Sequence, residues 1–427
     1  MSSFSKDLQS VVSPKFDENL VIDILQEIFN INHVVITDIT FDNQYKKGDS
    51  YLGVVTRFTV KATGVEKDGK TREIDLPLIA KGLPASVARI KTFRLLNFFA
   101  NEVSFYNKTW KAMNEFQKSK VPQGVFNDIP LCIAAFSDGA HDYVILEDIS
   151  PKGYGGAVRC SGLDFNHTQL IMRLFAKFHA IGLAFKDQQP KQFEEAANSL
   201  EETYFSEKFR KWYITFQTGP MYDVIHDAVN KQLPASYLDK LVELFKTDFF
   251  GTLIYHCESR GPLAVITHGD AWVPNFMLKY DENKIPLSAY MIDFQLARCA
   301  SLALDITFFL YSCTEQSLRL KYWDSLIEDY HNTFVQTLVQ LGSSPQLLTL
   351  DNLKAEIKRC AVFGIGMSME AIVMSLLEDD EAADLDMIQG DDAVPLESVW
   401  NVHPFKSEEK RQRLADMFKH AVDNGFI

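Results

Sequence analysis

The most informative part of the 427-residue chain is VITHGDAWVPN at residues 265–275, followed by YMIDFQ at residues 290–295. In each stretch a short apolar run, typical of a buried strand, leads into polar residues. Four residues separate Asp270 from Asn275, and the second run ends at Asp293. Each of the three taken alone could cap a turn, close a loop or begin a helix. Their joint spacing, with a strand-like approach to both groups, argues against coincidence.

These three residue types suit phosphoryl transfer from ATP. That reaction needs a carboxylate to accept the proton of the attacking hydroxyl, and oxygen ligands to hold Mg²⁺ on the phosphates. Asp270 suits the first role, and Asn275 and Asp293 suit the second. The order H-[RG]-D-x-x-x-x-N followed by D-F-x is the protein-kinase arrangement, here with Gly269 in place of the arginine and Gln295 as the third residue of the second motif.

Two upstream residues supply what this arrangement also requires. Lys81 ends the apolar run LIAK at residues 78–81, where an exposed surface lysine would be the ordinary interpretation. Glu102 lies at the edge of the apolar stripe of a predicted helix, where a carboxylate is costly unless it is paired. A Lys81–Glu102 pair that holds the α- and β-phosphates of ATP explains both residues together.

Two glycine-containing stretches could be phosphate loops. GDSYLG at residues 48–53 could fold over the phosphates, with Gly48, Ser50 and Tyr51 as ATP contacts, although a plain turn is nearly as well supported. GVEKDGKT at residues 64–71 matches the P-loop pattern in full. The residues after it alternate like a strand, however, so no helix begins there to face the phosphates. A hairpin turn is therefore the better interpretation of this second stretch.

The first third of the chain predicts a small β-rich lobe. Residues 58–63 and 74–80 alternate between apolar and polar residues, and an Asp-Gly turn between them indicates a hairpin. Lys91 to Phe116 changes to helical spacing, and Asp142 to Leu146 resembles another strand. The following hinge-like segment leads us to expect backbone contacts with adenine from Glu147 and Ile149. We place the lobe boundary there, so that residues 1–146 form the N-lobe.

Residues 147–427 predict a larger, mainly helical C-lobe that contains the catalytic loop, the metal site and the acceptor pocket. Apolar residues recur every three or four positions in four segments, 170–185, 320–341, 352–377 and 407–423, and two strand-like runs, 263–266 and 288–292, interrupt the helices. The segment 378–397 holds nine carboxylates and no base, which favours a solvated loop over a metal site. The fold class is therefore α+β, a two-lobed protein-kinase-like fold with ATP between the lobes.

The composition of the chain limits the kinds of molecule that the protein is expected to bind and the compartment in which it is expected to act. A formal charge of −14 and a pI near 5.2 disfavour nucleic acid, which needs clustered Lys and Arg. The most apolar stretch, Ala361 to Leu377, contains Glu370 and is short for a membrane span, so a buried helix is expected instead. Six scattered cysteines and an N-terminus without a secretory pattern indicate reduced thiols and a cytoplasmic location.

The chain is similar to the ecdysteroid kinase-like family of insects, which shares the fold of aminoglycoside and choline kinases. The similarity rests on GDSYLGVVTRFTV, LIAKGLP, NEVSFY, VILEDI, AKFHA, THGDAWVPN and MIDFQLARCASLALDITFFL, which occur in this order over about residues 45–315. The similarity implies ATP-dependent phosphorylation of a hydroxyl on a small molecule, with an ecdysteroid as the expected acceptor (ecdysteroid 22-kinase-like). His179 and Asp305 also lie in these motifs, and we expect both to be structural. His179 is expected to be a buried core histidine, and Asp305 either to cap the helix that it begins or to brace the catalytic loop.

Other functions remain open at this point. Within the same class, the acceptor could be of the choline or aminoglycoside type, or a xenobiotic. From another class comes a catalytically inactive nucleotide- or hormone-binding protein of the same fold. Intact Lys81, Asp270, Asn275 and Asp293 count against inactivity. The identity of the acceptor hydroxyl is decided by the pocket rather than by the fold.

Overall fold

The computed structural model describes residues 3–42, 53–157, 162–378 and 383–427. The chain divides into two compact units, each built from separate stretches of sequence. The first unit contains the described residues of Met1–Asn107, Ile129–Tyr154 and Leu385–Ala393, and the second contains those of Lys108–Asp128, Gly155–Asp384 and Val394–Ile427.

The first unit contains both helices and strands, and helices predominate in the second. The helices are α1 (Ser3–Val11), α2 (Glu18–Phe29), α3 (Val87–Phe93), α4 (Leu95–Ser104), α5 (Lys111–Lys120), α6 (Phe165–Gln188), α7 (Pro190–Asn198), α8 (Arg210–Phe216), α9 (Tyr222–Gln232), α10 (Ala235–Lys246), α11 (Phe249–Glu258), α12 (Ala303–Cys313), α13 (Gln316–Gln340), α14 (Leu350–Leu376), α15 (Leu396–Val399) and α16 (Glu408–Asp423). The strands are β1 (Asn32–Phe41), β2 (Val54–Val65), β3 (Thr71–Gly82), β4 (Cys132–Phe136), β5 (Tyr143–Glu147), β6 (Gly155–Gly156), β7 (Ala264–Thr267), β8 (Phe276–Tyr280), β9 (Pro286–Met291) and β10 (Arg298–Ser301).

The first unit is built on a five-stranded antiparallel sheet in the order β1-β2-β3-β5-β4. Alternate residues of β2 and β3 are buried, and they share one apolar core with α2, as the period of two along a strand requires. Together with the helical second unit, this sheet confirms the predicted α+β class with a small β-rich part and a larger helical part.

The P-loop pattern at residues 64–71 is the β2–β3 hairpin turn, as predicted. The N–H of Glu66 donates to the carbonyl of Lys70 at 2.8 Å, and Gly69 has a φ of +87°, which favours glycine in such a turn. Thr71 begins β3 rather than a helix. The residues after this loop therefore form a strand and not the helix whose N-terminus faces the phosphates in a P-loop.

The predicted helix from Lys91 to Phe116 is confirmed from Leu95 onward, but the structure interrupts it at Arg94. Arg94 adopts a left-handed conformation with φ of +54° between α3 and α4. A π-helical turn, Phe105–Trp110, then separates α4 from α5. Apolar residues keep their spacing of three or four across both interruptions, so periodicity alone does not reveal them.

The second unit confirms the four predicted helices as α6, α13, α14 and α16, with ends that differ by a few residues. Pro345–Leu376, which includes α14, is long and apolar enough to cross a membrane by composition, but 72% of its most apolar window is buried in the protein. The prediction of a buried core helix is thus supported. The two strand-like runs correspond to β7 and β9, which lead into the two polar motifs.

The acidic segment 378–397 is not simply the solvated loop that its charge predicted. Its part from Leu385 to Ala393 belongs to the first unit. The carboxylate of Asp386 pairs with the buried Arg89 at 3.0 Å, and the N–H of Ala88 donates to the carbonyl of Gly390 at 3.0 Å. Charge patterning could not predict this docking because the contacts use backbone groups and a basic residue that is about 300 positions distant in sequence.

Candidate functional site

The site in the second unit is built around the loop that joins β7 to β8. All four residues of β7 are buried, and the strand pairs with β10 through Thr267 and Arg298. The chain leaves β7 at His268 and enters β8 after a tight turn that ends at Asn275. A short buried strand on each side therefore holds the predicted catalytic loop, residues 268–275.

Gly269 is required by the path of this loop. Its φ is +81°, and a Cβ atom added there would lie 1.9 Å from the carbonyl oxygen of Leu296. Real Cβ atoms do not approach backbone atoms so closely, so no other residue fits without moving the chain. The glycine that replaces the arginine of protein kinases is thus a steric necessity in this protein.

His268 connects the loop to the segment that follows β9 and contains Asp293. Its Nε2–H donates to the carbonyl of Ile292 at 2.9 Å, and its Nδ1 accepts the N–H of Asp270 at 3.2 Å. Burial lowers the pKa of His268, so the ring is neutral at physiological pH. The two hydrogen bonds assign the proton to Nε2. His268 therefore places Asp270 relative to the residue before Asp293.

Asp305, from α12, braces the loop from the other side. Its two carboxylate oxygens accept the N–H groups of His268 at 2.6 Å and Gly269 at 2.9 Å. His179 donates to the same carboxylate at 3.0 Å and is itself bonded to the hydroxyl of Tyr330 at 2.8 Å. Burial alone would raise the pKa of Asp305, but the hydrogen bonds from His179 and from the backbone of Gly269 hold it below its usual value. The expectation that His179 and Asp305 are structural is supported, and Asp305 caps the loop rather than its own helix.

Asp270, Asn275 and Asp293 lie close together, as their spacing predicted. The Nδ2 of Asn275 donates to the carbonyl oxygen and to the carboxylate of Asp270, both at 2.9 Å. Burial and the negative charge of Asp293 raise the pKa of Asp270 to about 7. Asp293 has a φ of +66°, a conformation in which strain is often held at functional sites. The loop and the segment after β9 thus present two neighbouring carboxylates and one amide.

This donor set fits a hard divalent cation. Carboxylate and amide oxygens are the ligands that Mg²⁺ prefers, and a cation relieves the repulsion between two neighbouring carboxylates. Among the described residues, no group of three or more His, Cys, Asp and Glu side chains forms a complete metal cage. A kinase site does not need one, because phosphate oxygens and water complete the coordination. Asn275 and Asp293 remain the predicted ligands.

The Lys81–Glu102 pair predicted from the sequence is present in the first unit. The Lys81 Nζ lies 2.8 Å from the Glu102 Oε2, and the two side chains are 14% and 2% exposed. Lys81 is on β3 and Glu102 is on α4, so the ion pair ties the helix to the sheet. Glu102 is thus a buried carboxylate with the partner that its burial demands. Binding of phosphate by Lys81 stays a prediction.

Comparison with protein-family models matches residues 47–343 to the ecdysteroid kinase-like family. The chain belongs to this family. A comparison with curated proteins found no match. Among solved structures, a GDP and kanamycin complex of the phosphotransferase APH(2")-IIIa is 13% identical, covering 83% of this chain and 91% of that one, with a TM-score of 0.36. A GDP complex of a mutant aminoglycoside 2'-phosphotransferase-IIIa is 11% identical, covering 95% and 97%, with a TM-score of 0.37. Because both scores are low, we draw no argument from these two structures.

The other nucleotide contacts predicted for this ecdysteroid kinase-like protein are backbone groups of Glu147 and Ile149 and three residues of the stretch 48–53. The N–H of Glu147 already donates to Leu131 at 2.9 Å, and the carbonyl of Ile149 accepts the N–H of Lys152 at 3.0 Å. Contacts with adenine would therefore have to use the carbonyl of Glu147 and the N–H of Ile149. The predicted loop contacts lie outside the described residues, and these are Gly48, Ser50 and Tyr51.

Two clusters near Asp270 were missed by the sequence analysis. Arg298 is 3% exposed, and its Nε donates to Glu202 at 2.6 Å. Its charge opposes the effect of burial, which raises the pKa of Asp270. In the second cluster, Glu370 accepts the hydroxyls of Tyr204 and Tyr213. A signal was available in both cases, because Arg298 and Glu370 are charged residues inside apolar runs of this family member.

Proposed function

We propose that this protein is an ATP-dependent phosphotransferase that phosphorylates a hydroxyl group of a small molecule, most consistently an ecdysteroid. The observation that carries the proposal is the braced loop that holds Asp270 in hydrogen-bond contact with Asn275 and beside Asp293. Membership of the ecdysteroid kinase-like family supports a small-molecule kinase.

In this proposal Asp270 orients the acceptor hydroxyl and accepts its proton as the phosphoryl group is transferred. General-base catalysis is most effective when the pKa of the base is near the working pH, and the pKa of Asp270 is raised to about 7. Asn275 keeps the carboxylate oriented through its amide N–H. The backbone at Asp270 is held in place by two hydrogen bonds. Asp305 accepts the N–H of His268, and the ring of the neutral His268 accepts the N–H of Asp270.

The charges on the phosphates would be met by Lys81, Asn275 and Asp293. Lys81 would hold the α- and β-phosphates, with Glu102 keeping its ammonium group in place. Asn275 and Asp293 would hold Mg²⁺, which when bound neutralises charge that develops on the phosphate oxygens. Phosphoryl transfer relies mainly on positioning and charge stabilisation, so oxygen ligands and an ammonium group are the kinds of group that the reaction needs.

A cytoplasmic location is also part of the proposal. The described cysteines carry free thiols, which supports a reducing compartment, and these are Cys132, Cys257, Cys299, Cys313 and Cys360.

The test is turnover with a panel of acceptors. The purified protein is incubated with ATP, Mg²⁺ and separate sets of steroids, amino alcohols and phenols, and each product is examined for a mass gain of about 80 Da, one phosphoryl group. Asp270→Asn should lower turnover by roughly 100-fold or more while ATP still binds. The matched control is Asp324→Asn, because Asp324 is an exposed carboxylate that pairs with Lys354. Phosphorylation of choline with no response to any steroid would refute the ecdysteroid half, and ligand binding without phosphorylation of any acceptor would refute the enzyme half.

A further inference from the structure

The backbone of Asp293 is held in a conformation that costs free energy. Its φ is +66°, in the left-handed region, which aspartate tolerates better than most residues but still at a cost. A conformation of this kind persists only when the surrounding structure holds the chain in place. Asp293 lies in the stretch of residues 292–297 between β9 and β10, which we call the Asp293 linker. The linker therefore needs attachment points on both sides of Asp293.

The chain before Asp293 is attached to the catalytic loop. The carbonyl of Ile292 accepts the Nε2–H of His268 at 2.9 Å, and the N–H of Ile292 donates to the carbonyl of Asn275 at 3.1 Å. These two hydrogen bonds fix the residue that precedes Asp293. They do not hold the residues that follow it, so the strained conformation needs a second attachment there.

Residues 202–205, which we call the latch segment, attach the chain after Asp293. The hydroxyl of Thr203 donates to the carbonyl of Gln295 at 3.2 Å. Thr203 is 2% exposed and Gln295 is 8% exposed, so bulk water does not readily replace this bond. The contact therefore fixes the backbone two residues after Asp293.

The end of the linker is attached to the same segment by an ion pair. The Nε of Arg298, the first residue of β10, donates to the carboxylate of Glu202 at 2.6 Å. The two side chains are 3% and 13% exposed, so the pair is largely buried. The backbone of Arg298 pairs with Thr267, the residue from which the catalytic loop leaves β7. Glu202 thus acts at the point where the linker joins the strand beside that loop.

The latch segment is itself held in place by contacts that do not involve the linker. Glu202 accepts the backbone N–H groups of Tyr204 at 2.8 Å and Phe205 at 2.7 Å, so its carboxylate is oriented independently of Arg298. Phe205 is 1% exposed, and the hydroxyl of Tyr204 donates to Glu370 at 2.9 Å. The segment is therefore anchored in the second unit and can serve as a fixed support for the linker.

We propose that Glu202 and Thr203 are positioning residues for the divalent metal ion: they hold the chain after Asp293 and so keep Asp293 in the conformation in which it binds Mg²⁺. The inference rests on the proposed function, in which Asp293 is a metal ligand. It adds two residues that lie outside every motif on which the family similarity rests. Without these contacts Asp293 would relax to a less strained conformation, and the apparent metal affinity would fall with the fraction of molecules that remain competent to bind.

Two substitutions of Thr203 separate positioning from packing. Thr203→Val keeps the size of the side chain but removes the hydroxyl, so the Kd for Mn²⁺ alone, measured by electron paramagnetic resonance, should rise about two- to tenfold. Thr203→Ser keeps the hydroxyl but removes a methyl group, so this Kd should stay within about twofold of the natural value although the melting temperature falls. A side chain that only fills space would give the reverse order.

Glu202→Gln tests the ion pair. Glutamine keeps an acceptor for the backbone N–H groups but removes the charge that Arg298 faces. The Kd for Mn²⁺ and the Mg²⁺ concentration for half-maximal turnover should therefore rise about tenfold or more, with a smaller change in the KM for the acceptor. The control is Ser301→Ala, because Ser301 lies at the other end of β10, is 2% exposed and donates to Glu356 at 2.6 Å. This variant should lower the melting temperature and leave the Kd for Mn²⁺ unchanged.

The results of these experiments separate the positioning role from the proposed function. Turnover of an acceptor with a natural Kd for Mn²⁺ in Thr203→Val and Glu202→Gln would overturn the positioning role and leave the kinase intact. Mn²⁺ binding that depends on the Thr203 hydroxyl, without phosphorylation of any acceptor, would support the positioning role and overturn the proposed function. A Kd that rises as much in Thr203→Ser or Ser301→Ala as in Thr203→Val would overturn the positioning role. So would a Kd that is unchanged in Asp293→Asn, or the absence of Mn²⁺ binding by the natural protein.

Discussion

Asp305→Asn tests whether a single buried carboxylate holds the catalytic loop. Asp305 is 1% exposed and accepts three hydrogen bonds, from the backbone of His268 and Gly269 and from the ring of His179. Asparagine keeps one acceptor oxygen and replaces the other with an NH₂ group. At least one of the three buried donors then faces the new NH₂ group instead of an acceptor. The other hydrogen bonds are made to a neutral oxygen instead of a negatively charged one.

The magnitude follows from these contacts. A buried polar group left without its partner costs about 1 to 3 kcal/mol, and more when the lost acceptor is charged, as Asp305 is for three donors. We therefore expect Asp305→Asn to lower the free energy of unfolding by about 3 to 5 kcal/mol. If the larger unit unfolds cooperatively, with about 2 cal/mol/K of unfolding entropy per residue, the melting temperature should fall by roughly 5 to 8 °C. Turnover should fall as well, because Asp270 is displaced.

Calorimetry and urea unfolding measure this loss, with Asp329→Asn as the control. Asp329 also receives two hydrogen bonds, from Arg173, but it is at the surface, where an ion pair contributes about 0 to 1 kcal/mol. Equal stability losses in the two variants would refute the reasoning. The pH dependence is a second check. Because the folded pKa of Asp305 is lowered, its contribution is present above the unfolded pKa of about 3.9 and is lost as the pH falls through the folded pKa. The difference between the natural protein and Asp305→Asn should therefore shrink below about pH 4.

Three further predictions concern the other parts of the site. The double variant Lys81→Met/Glu102→Gln should lose clearly less free energy of transition-state binding than the sum of the losses in the two single variants. If the losses in kcat/KM are strictly additive, the two residues do not act as a unit. Gly269→Ala should destabilise the protein by about 2 to 5 kcal/mol, because residue 269 has a positive φ and its new Cβ would meet the carbonyl of Leu296. In the control Gly261→Ala, the new Cβ lies in open space, so stability should change by less than about 1 kcal/mol. Similar melting temperatures for the two variants would contradict this prediction. Asp293→Asn should raise the Mg²⁺ concentration for half-maximal turnover about tenfold or more and weaken Mn²⁺ binding measured by electron paramagnetic resonance, and unchanged values for both would remove Asp293 from the metal site.

Much of this protein follows from local sequence patterns. Alternation in β2 and β3 predicted the hairpin and showed that a full P-loop match was a turn, because the side-chain period of a strand is visible over a few residues. Spacing between Asp270, Asn275 and Asp293 predicted their proximity, since short buried strands deliver them. The burial of Glu102 within an apolar stripe predicted a cationic partner, and Lys81 is that partner.

Tertiary structure alone decided the features that depend on residues far apart in the chain. Asp305 could have capped its own helix, and only the fold shows that its oxygens face the backbone of His268 and Gly269, 37 and 36 positions away. The break at Arg94 and the docking of Leu385–Ala393 leave the local apolar and charge patterns unchanged, so no pattern reports them. Glu370 was visible as a carboxylate in an apolar helix, but its two tyrosine partners lie more than 150 residues upstream. Periodicity records which face of an element is buried, whereas hydrogen bonds between distant segments are set by how those faces pack.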